Sequence, residues 1–226
     1  MTCFLPCRKG SERVLRKNTK PFAGRKHGLI QIKLNQLLQV KELDEIVLST
    51  NDEEILNYAE GLNESRIILH KRNEELSSSE TSTDNLVVHA LSLIKEGHIM
   101  WTHTTSPFVN AETYEKVLER YQQVILEGYD SLMTTTEIFS FLWKDEKPFN
   151  YDRSKEKWPR TQTLAPVHEV NSAVFVASVD VYKKNNDRIG NTPFLYPINK
   201  LLGHDIDWPE DFVIAECIVE KGLVAL

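Results

Sequence analysis

Short apolar runs alternate with amphipathic segments along the first half of the chain. The strand-like runs span residues 3–7, 45–50, 66–70 and 98–103. The segments between them carry apolar residues at helical spacing, and helices are predicted to begin near Gly28, after Asp52 and at Thr83. This alternation predicts an α/β fold in which helices cover both faces of a mostly parallel sheet. Functional loops are then expected at the carboxyl ends of the strands.

The second half of the chain follows a less regular pattern. Asn110 is expected to cap a long helix, and residues 130–136 and 172–178 are typical of strands. Residues 144–169 are polar and contain three prolines, which indicates an excursion from the sheet. A terminal helix is predicted over residues 209–221.

Composition narrows the class of protein. The chain has 226 residues, of which 41% are apolar and 27% charged, so we expect a single globular domain over residues 1–226. It contains no run of 18 uncharged apolar residues and no secretory signal, which predicts a cytoplasmic protein with no membrane partner. Three cysteines without a C-x-x-C pair make a disulfide scaffold or a zinc site improbable.

Charge is distributed unevenly along the sequence. The formal net charge is -6, yet residues 8–26 carry eight basic side chains against one acid, Glu12. Positive charge gathered in one glycine-containing stretch of an acidic protein indicates an anion site. A solvated basic loop or a nucleic-acid surface is the alternative interpretation. The acidic remainder of the chain argues against nucleic acid as a partner.

The basic stretch directly follows the first predicted strand, but it is not a known nucleotide motif. The sequence contains neither G-x-G-x-x-G nor G-x-x-x-x-G-K-[ST]. Gly10 permits a tight turn whose N–H groups can face phosphate oxygens. Arg8 and Lys17 are placed to neutralise a triphosphate from two sides, and the Ser11 hydroxyl adds a donor.

A pair of carboxylates precedes the terminal helix. In an extended segment Asp205 and Asp207 project to the same side, where two oxygens can share a hard cation such as Mg²⁺. Acidic residues before a helix are more often caps, and that alternative stays open on spacing alone.

The segment Leu5–Gly24 resembles the N-terminal signature of the acylneuraminate cytidylyltransferases. Six further segments match the family's motifs in order and spacing. They are Val47–Ile55 (S-T-D-D-x-x-I), Arg72–Leu76 (R-P-x-E-L), Thr104–Pro107 (the end of Q-P-T-S-P), Pro159–Gln162 (P-R-x-Q), Asn171–Ala173 (N-G-A) and Asp205–Asp211 (D-I-D-x-P-E-D). Each match is weak, whereas the joint match is specific.

The resemblance implies a reaction and a fold. The family transfers CMP from CTP to the anomeric hydroxyl of a sialic-acid-like nonulosonic acid, releases pyrophosphate and uses Mg²⁺. Its members have a nucleotide-diphospho-sugar transferase-like fold. The resemblance also implies a homodimer, with residues 138–169 as the segment for dimerisation and the sugar site.

The resemblance implies a set of site residues, each at the position of this sequence that matches a motif of the family. The implied nucleotide-binding residues are Arg8, Ser11, Lys17, Asn18, Arg72 and Ser78, of which Arg8 and Lys17, together with Asp207, are the implied catalytic residues. The implied sugar-binding residues are His103, Thr105, Arg160, Gln162 and Asn171. The implied ligands of Mg²⁺ are Asp205 and Asp207.

Several positions depart from the family's pattern. Glu12 replaces a common Lys, His103 the usual Gln, Thr104 the usual Pro, Ser79 the usual Asp and Ser172 the usual Gly. We interpret His103 as a neutral hydrogen-bond partner rather than a proton donor. Because of these departures, a nucleotide-binding relative of the same fold with weak or lost turnover is the alternative to an active transferase.

Overall fold

A seven-stranded sheet forms the centre of the computed structural model, which describes residues 1–10, 13–78 and 80–226. Its strands are β1 (Thr2–Pro6), β2 (Glu45–Thr50), β3 (Ile67–Lys71), β4 (His98–Thr102), β5 (Ser131–Ile138), β8 (Val167–Ser178) and β9 (Pro193–Pro197). A separate small hairpin joins β6 (Trp143–Lys144) to β7 (Lys147–Pro148). The order across the sheet is β3-β2-β1-β4-β8-β5-β9, and only β8 runs antiparallel to its neighbours.

Six α-helices are present in the described parts of the chain. They are α1 (Gly28–Leu38), α2 (Glu53–Gly61), α3 (Thr83–Leu93), α4 (Ala111–Leu126), α5 (Val179–Asn185) and α6 (Pro209–Glu220). The predicted caps form, since the side chains of Asp52 and Asn110 accept the N–H groups of Glu54 and Thr113. No helix in these parts of the chain combines the length and apolar character needed to cross a membrane.

The helices cover both faces of the sheet. On one face, α1, α2 and α4 bury residues such as Leu34, Ile55 and Val117 against the strands. On the other face, α3 and α5 bury Val87 and Tyr182. The predicted fold class, a mostly parallel sheet between two helical layers, is therefore confirmed.

The second half of the chain differs from its prediction in three places. Strand β8 begins at Val167 rather than at residue 172, so it takes in the end of the predicted excursion. The short helix α5 and the edge strand β9 have no counterpart in the sequence-based prediction. Proline at both ends of β9 is tolerated because an edge strand leaves N–H groups unpaired on one side.

The topology brings four loops and the first half of β8 to one edge of the sheet. Parallel strands β1, β2, β3 and β4 are neighbours, so the residues that follow them, from Cys7, Asn51, Arg72 and His103, lie side by side. Because β8 is antiparallel, its first half, which includes Asn171, lies at the same edge. This edge is where the candidate site forms.

Candidate active site

A basic cavity of about 450 Å³ opens at the carboxyl ends of β1 and β4. We call it the first cavity. Its lining residues are Pro6, Cys7, Arg8, Arg13, Lys17, Asn18, Arg72, Leu86, His103, Thr104 and Thr105. Among the described residues that line it, four are arginine or lysine and none is acidic. The cavity therefore has the size and charge of a site for a polyanionic ligand.

The loop after β1 is held in place by Asn18. The Asn18 amide donates to the Arg8 carbonyl at 3.1 Å, and the Thr104 hydroxyl donates to the Asn18 amide oxygen at 2.7 Å. The neighbouring Lys9 N–H is bound by the Asn51 side chain at 2.8 Å. Asn18 thus joins the loop to the end of β4 and fixes the path of the chain from which Arg8 projects.

Lys17 and Arg13 converge on Asp207. The buried Lys17 ammonium donates to the Ile206 carbonyl at 2.7 Å and to Asp207 Oδ1 at 3.2 Å. The Arg13 guanidinium donates to the same Oδ1 at 3.1 Å, and the Arg13 and Asp207 side chains are each 44% exposed. An ion pair this exposed adds at most about 1 kcal/mol to stability. These contacts join the first cavity to the carboxylate pair.

Arg72 contributes a further guanidinium to the lining of the first cavity. Its guanidinium is buried, donating to the Cys7 carbonyl at 3.0 Å and to the Ser77 hydroxyl at 3.2 Å. Burial lowers the pKa of Arg72. The guanidinium nevertheless stays protonated, because the ordinary pKa of arginine lies far above neutral pH. Ser78 is exposed and does not line the cavity, and its hydroxyl lies 3.2 Å from that of Thr81.

His103 is locked as a neutral imidazole. The Trp101 indole N–H donates to His103 Nε2 at 2.9 Å, and His103 Nδ1–H donates to the Ser172 carbonyl at 2.8 Å. Burial, helped by the charge of Arg188, lowers the pKa of His103 to about 4. Both ring nitrogens are used within the chain, so the ring supplies shape rather than a free hydrogen bond to a ligand.

A second cavity of about 470 Å³ lies beside the first. We call it the second cavity. Its lining residues are Thr136, Glu169, Val170, Asn171, Ser172, Lys200, Gly203, His204, Asp205, Asp207 and Trp208. Ser172 has a φ of +57°, and its carbonyl binds His103 of the first cavity, so this contact forms part of the division between the two spaces.

The Asn171 side chain is fixed in the lining of the second cavity by three hydrogen bonds. Its amide oxygen accepts from the Thr134 hydroxyl at 2.8 Å and from the Ala173 N–H at 3.2 Å, while its amide nitrogen donates to Thr136 at 3.1 Å. A Cβ on Gly203 would lie 2.8 Å from the Asn171 amide nitrogen. This close approach explains why glycine precedes the carboxylate pair.

The two aspartates have different surroundings. Asp205 Oδ1 is buried and has no hydrogen-bond partner among the described residues, whereas Asp207 is held by Lys17 and Arg13. Burial raises the pKa of Asp205, a hydrogen bond with the Thr105 side chain opposes this rise, and the nearby Asp207 charge adds to it. The Ile206 N–H between them donates to the Thr105 carbonyl at 2.9 Å, which ties the pair to the loop after β4.

The structure tests the alternative interpretation, in which Asp205 and Asp207 cap helix α6. The N–H groups of Asp207 and Trp208 are bound by the Asp211 carboxylate at 3.0 and 2.8 Å. Asp211 therefore supplies the side-chain cap of α6. The carboxylates of Asp205 and Asp207 are left for other contacts.

Some predicted residues lie elsewhere. Arg160 and Gln162 are exposed on the excursion and line neither cavity. The physical reason is that this segment leaves the sheet between β5 and β8, so its side chains do not follow the strand ends. Thr105 lines the first cavity rather than the second. Ser11, and the departures Glu12 and Ser79, lie outside the described residues.

Arg13, Lys200 and Trp208 are among the lining residues that the sequence did not assign to the site. Arg13 was visible as part of the charge cluster, and its guanidinium lies 4.8 Å from the centre of the Trp208 ring as well as against Asp207. Lys200 follows β9, a strand that the prediction missed. No local pattern marks either Lys200 or Trp208 as a site residue.

Comparisons with known proteins show the family and the fold of the chain. The family model described as cytidylyltransferase matches residues 2–194. The pseudaminic acid cytidylyltransferase of Campylobacter jejuni (serotype O:2, strain NCTC 11168) is 23% identical over 96% of this chain and 94% of its own length. The N-acylneuraminate cytidylyltransferase of Escherichia coli O18:K1:H7 is 24% identical over 96% of this chain, which spans 52% of that relative.

Solved structures show the same fold. A CMP:2-keto-3-deoxy-manno-octonic acid synthetase complexed with CTP superposes with a TM-score of 0.65 at 15% identity, covering 98% of each chain. A 4-diphosphocytidyl-2C-methyl-D-erythritol synthase from Anaerococcus prevotii gives a TM-score of 0.67 at 17% identity, covering 97% of this chain and 95% of its own.

Proposed function

Because the chain belongs to the cytidylyltransferase family, we propose that it transfers CMP from CTP to the anomeric hydroxyl of a sialic-acid-like nonulosonic acid and releases pyrophosphate. The single observation that carries this proposal is the pair of adjoining cavities joined at Asp207. One is lined by cations and the other by polar groups and carboxylates. Transfer of a nucleotidyl group needs two such neighbouring spaces, one for the triphosphate and one for the acceptor.

The first cavity is assigned to CTP. Arg8, Arg13, Lys17 and Arg72 all line it, so phosphate oxygens placed among them would meet charge-assisted donors. The acceptor oxygen attacks the α-phosphorus while the bond to the pyrophosphate oxygen breaks. The protein's work in such a step is mainly to hold the reactants in line and to stabilise charge on the phosphates. Lys17 is suited to this role since it lies buried beside the junction of the cavities.

The carboxylate pair is assigned to Mg²⁺. Asp205 Oδ1 is buried and unpartnered among the described residues, and carboxylate oxygens are the ligands that this ion prefers. No cluster of three metal-ligating side chains occurs in the described ranges, so phosphate oxygens and water would complete the coordination. A bound Mg²⁺ would neutralise negative charge on the transferred phosphate.

The acceptor class follows from the relatives. The curated relatives carry names for pseudaminic acid and for N-acylneuraminate, at almost equal identity. The proposal therefore names the shared class, a nonulosonic acid, and leaves the sugar to the assay. Neuraminic, legionaminic and pseudaminic acids are the acceptors to compare.

A homodimer is also part of the proposal. The excursion exposes large aromatic side chains, with Trp158 62% and Phe149 59% accessible. Trp158 forms an edge-on cluster with Phe141, and Tyr151 lies beside both. An aromatic surface of this kind is typical of a protein interface, which would also carry Arg160 and Gln162 toward a second copy.

The test is pyrophosphate release by the purified protein with each acceptor in turn. CTP should be used in preference to ATP, GTP or UTP, and EDTA should stop the release until Mg²⁺ is restored. Equal rates with all four nucleotides would remove the cytidine assignment. CTP binding in calorimetry, without release for any acceptor, would instead favour a nucleotide-binding relative that has lost turnover. The ion pairs of Asp207 with Arg13 and Lys17 are the feature consistent with that alternative, because they occupy a predicted Mg²⁺ ligand.

A further inference from the structure

A sugar acid brings a carboxylate into the second cavity. In a nonulosonic acid this group is bonded to the anomeric carbon, so it enters the site beside the oxygen that attacks phosphorus. A carboxylate that loses water needs a cation or several N–H donors opposite it. The basic side chain that lines this cavity would therefore hold the acid and set its orientation.

Three of the eleven described residues that line the second cavity are acidic. Glu169, Asp205 and Asp207 provide carboxylates, and these repel an anionic acceptor. Lys200 is the only lysine or arginine among the described residues that line it. His204 is the other nitrogen base there, and its Nε2 lies 3.2 Å from the Asp211 carbonyl oxygen.

The Lys200 main chain is fixed while its ammonium remains available. A turn holds this stretch, since the Gly203 N–H donates to the Asn199 carbonyl at 2.9 Å and the Leu201 N–H to the Asn199 side chain at 2.8 Å. Among the described residues, the Lys200 ammonium makes no hydrogen bond and no ion pair with any side chain. It therefore presents three donors to a ligand.

The other cations near the junction are engaged elsewhere. Arg13 and Lys17 line the first cavity and hold Asp207, and Arg160 lines neither cavity. We infer that Lys200 binds the carboxylate of the acceptor acid and is a specificity-determining residue of this site. The inference rests on the proposed function. It replaces Arg160 with Lys200 as the partner of the acid within one chain.

The experiment compares Lys200→Met with wild type in steady-state pyrophosphate release. The variant should raise the KM for the sugar acid about tenfold or more, the size of one lost charge-assisted hydrogen bond, and leave the KM for CTP within about twofold. Lys200→Arg should restore most of the affinity, because it keeps the charge. Lys184→Met, at an exposed lysine on α5, is the matched control and should behave as wild type.

A second arm removes the charge from the ligand instead. The C1 amide of the same sugar is uncharged, so as a competitive inhibitor it should bind wild type and Lys200→Met equally. An unchanged KM for the acid in Lys200→Met, or equal losses for acid and amide, would overturn the inference. A loss of acid affinity in Arg160→Ala alone would return the role to Arg160.

Wild type that releases no pyrophosphate with any acceptor refutes the proposed function, and this inference with it. An active wild type with an unaffected Lys200→Met refutes only the inference.

Discussion

Replacing Lys33 with methionine should change how the stability of the protein depends on pH. Lys33 lies on α1 and is fully buried, with its ammonium donating to the Ser106 carbonyl at 2.8 Å and to the Tyr114 hydroxyl at 2.6 Å. No carboxylate contacts it among the described residues. Burial lowers the pKa of Lys33 from 10.5 to about 7, with a small opposing effect from the Cys3 thiol.

The sign and size of the effect follow from proton linkage. Between pH 7 and pH 10.5 the unfolded chain holds a proton on Lys33 that the folded protein has largely released, so the free energy of unfolding rises with pH. The slope approaches about 1.4 kcal/mol per pH unit for one proton. Integrated with the two pKa values, the gain is about 2 kcal/mol between pH 7 and pH 9.

The assay is equilibrium unfolding in urea at pH 7, 8 and 9 for wild type and Lys33→Met. The cysteines and tyrosines titrate in both proteins, so the difference between the two stabilities isolates Lys33. That difference should move by about 2 kcal/mol in favour of wild type as pH rises from 7 to 9. Lys41→Met, at an exposed lysine, should give a flat difference. Parallel stability curves for wild type and Lys33→Met would refute the reasoning.

Three further variants test the proposed site and assembly. Arg8→Ala should raise the KM for CTP by the equivalent of about 1.5–3 kcal/mol while the KM for the sugar acid stays constant, as checked by steady-state kinetics. Asp207→Asn should lower turnover by orders of magnitude at saturating Mg²⁺ but shift the Tm only slightly, because the Asp207 side chain is 44% exposed and the buried Lys17 ammonium keeps its bond to the Ile206 carbonyl; near wild-type release would contradict the metal role. Trp158→Glu should convert a dimer into monomers in sedimentation experiments, and an unchanged mass would place the interface elsewhere.

The parts of the fold that were predicted correctly are those that a local sequence pattern indicates. Strands β1 to β4 are short apolar runs bounded by polar residues, and their helices carry caps such as Asp52 and Asn110. Helix α5 and strand β9 were missed because the first has seven residues and the second begins and ends with proline. Such elements form because the rest of the sheet provides a surface for them, which no local pattern records.

The residues of the candidate site divide in the same way, into those that the sequence indicates and those whose position depends on the tertiary fold. Arg8 and Lys17 were found because they belong to the basic stretch that follows the first predicted strand, and Arg72 was carried over from the family resemblance. The nitrogen partners of His103 could not be read from spacing, since Trp101 lies two residues away while Ser172 comes from β8. Lys200 was missed for the same reason, as its position depends on a strand absent from the prediction.

The antiparallel strand β8 has a consequence for synthesis of the chain on the ribosome. Strand β4 ends at Thr102, but its partner on one side is β8, which ends at Ser178. Roughly 75 residues must therefore be translated before that side of β4 is paired, which takes about 4–15 s at ordinary elongation rates. During that interval the run Ile99–Met100–Trp101 presents an open strand edge, the kind of surface that joins other chains. Nascent chains halted before β8 should consequently be the most prone to aggregate and the most dependent on chaperones.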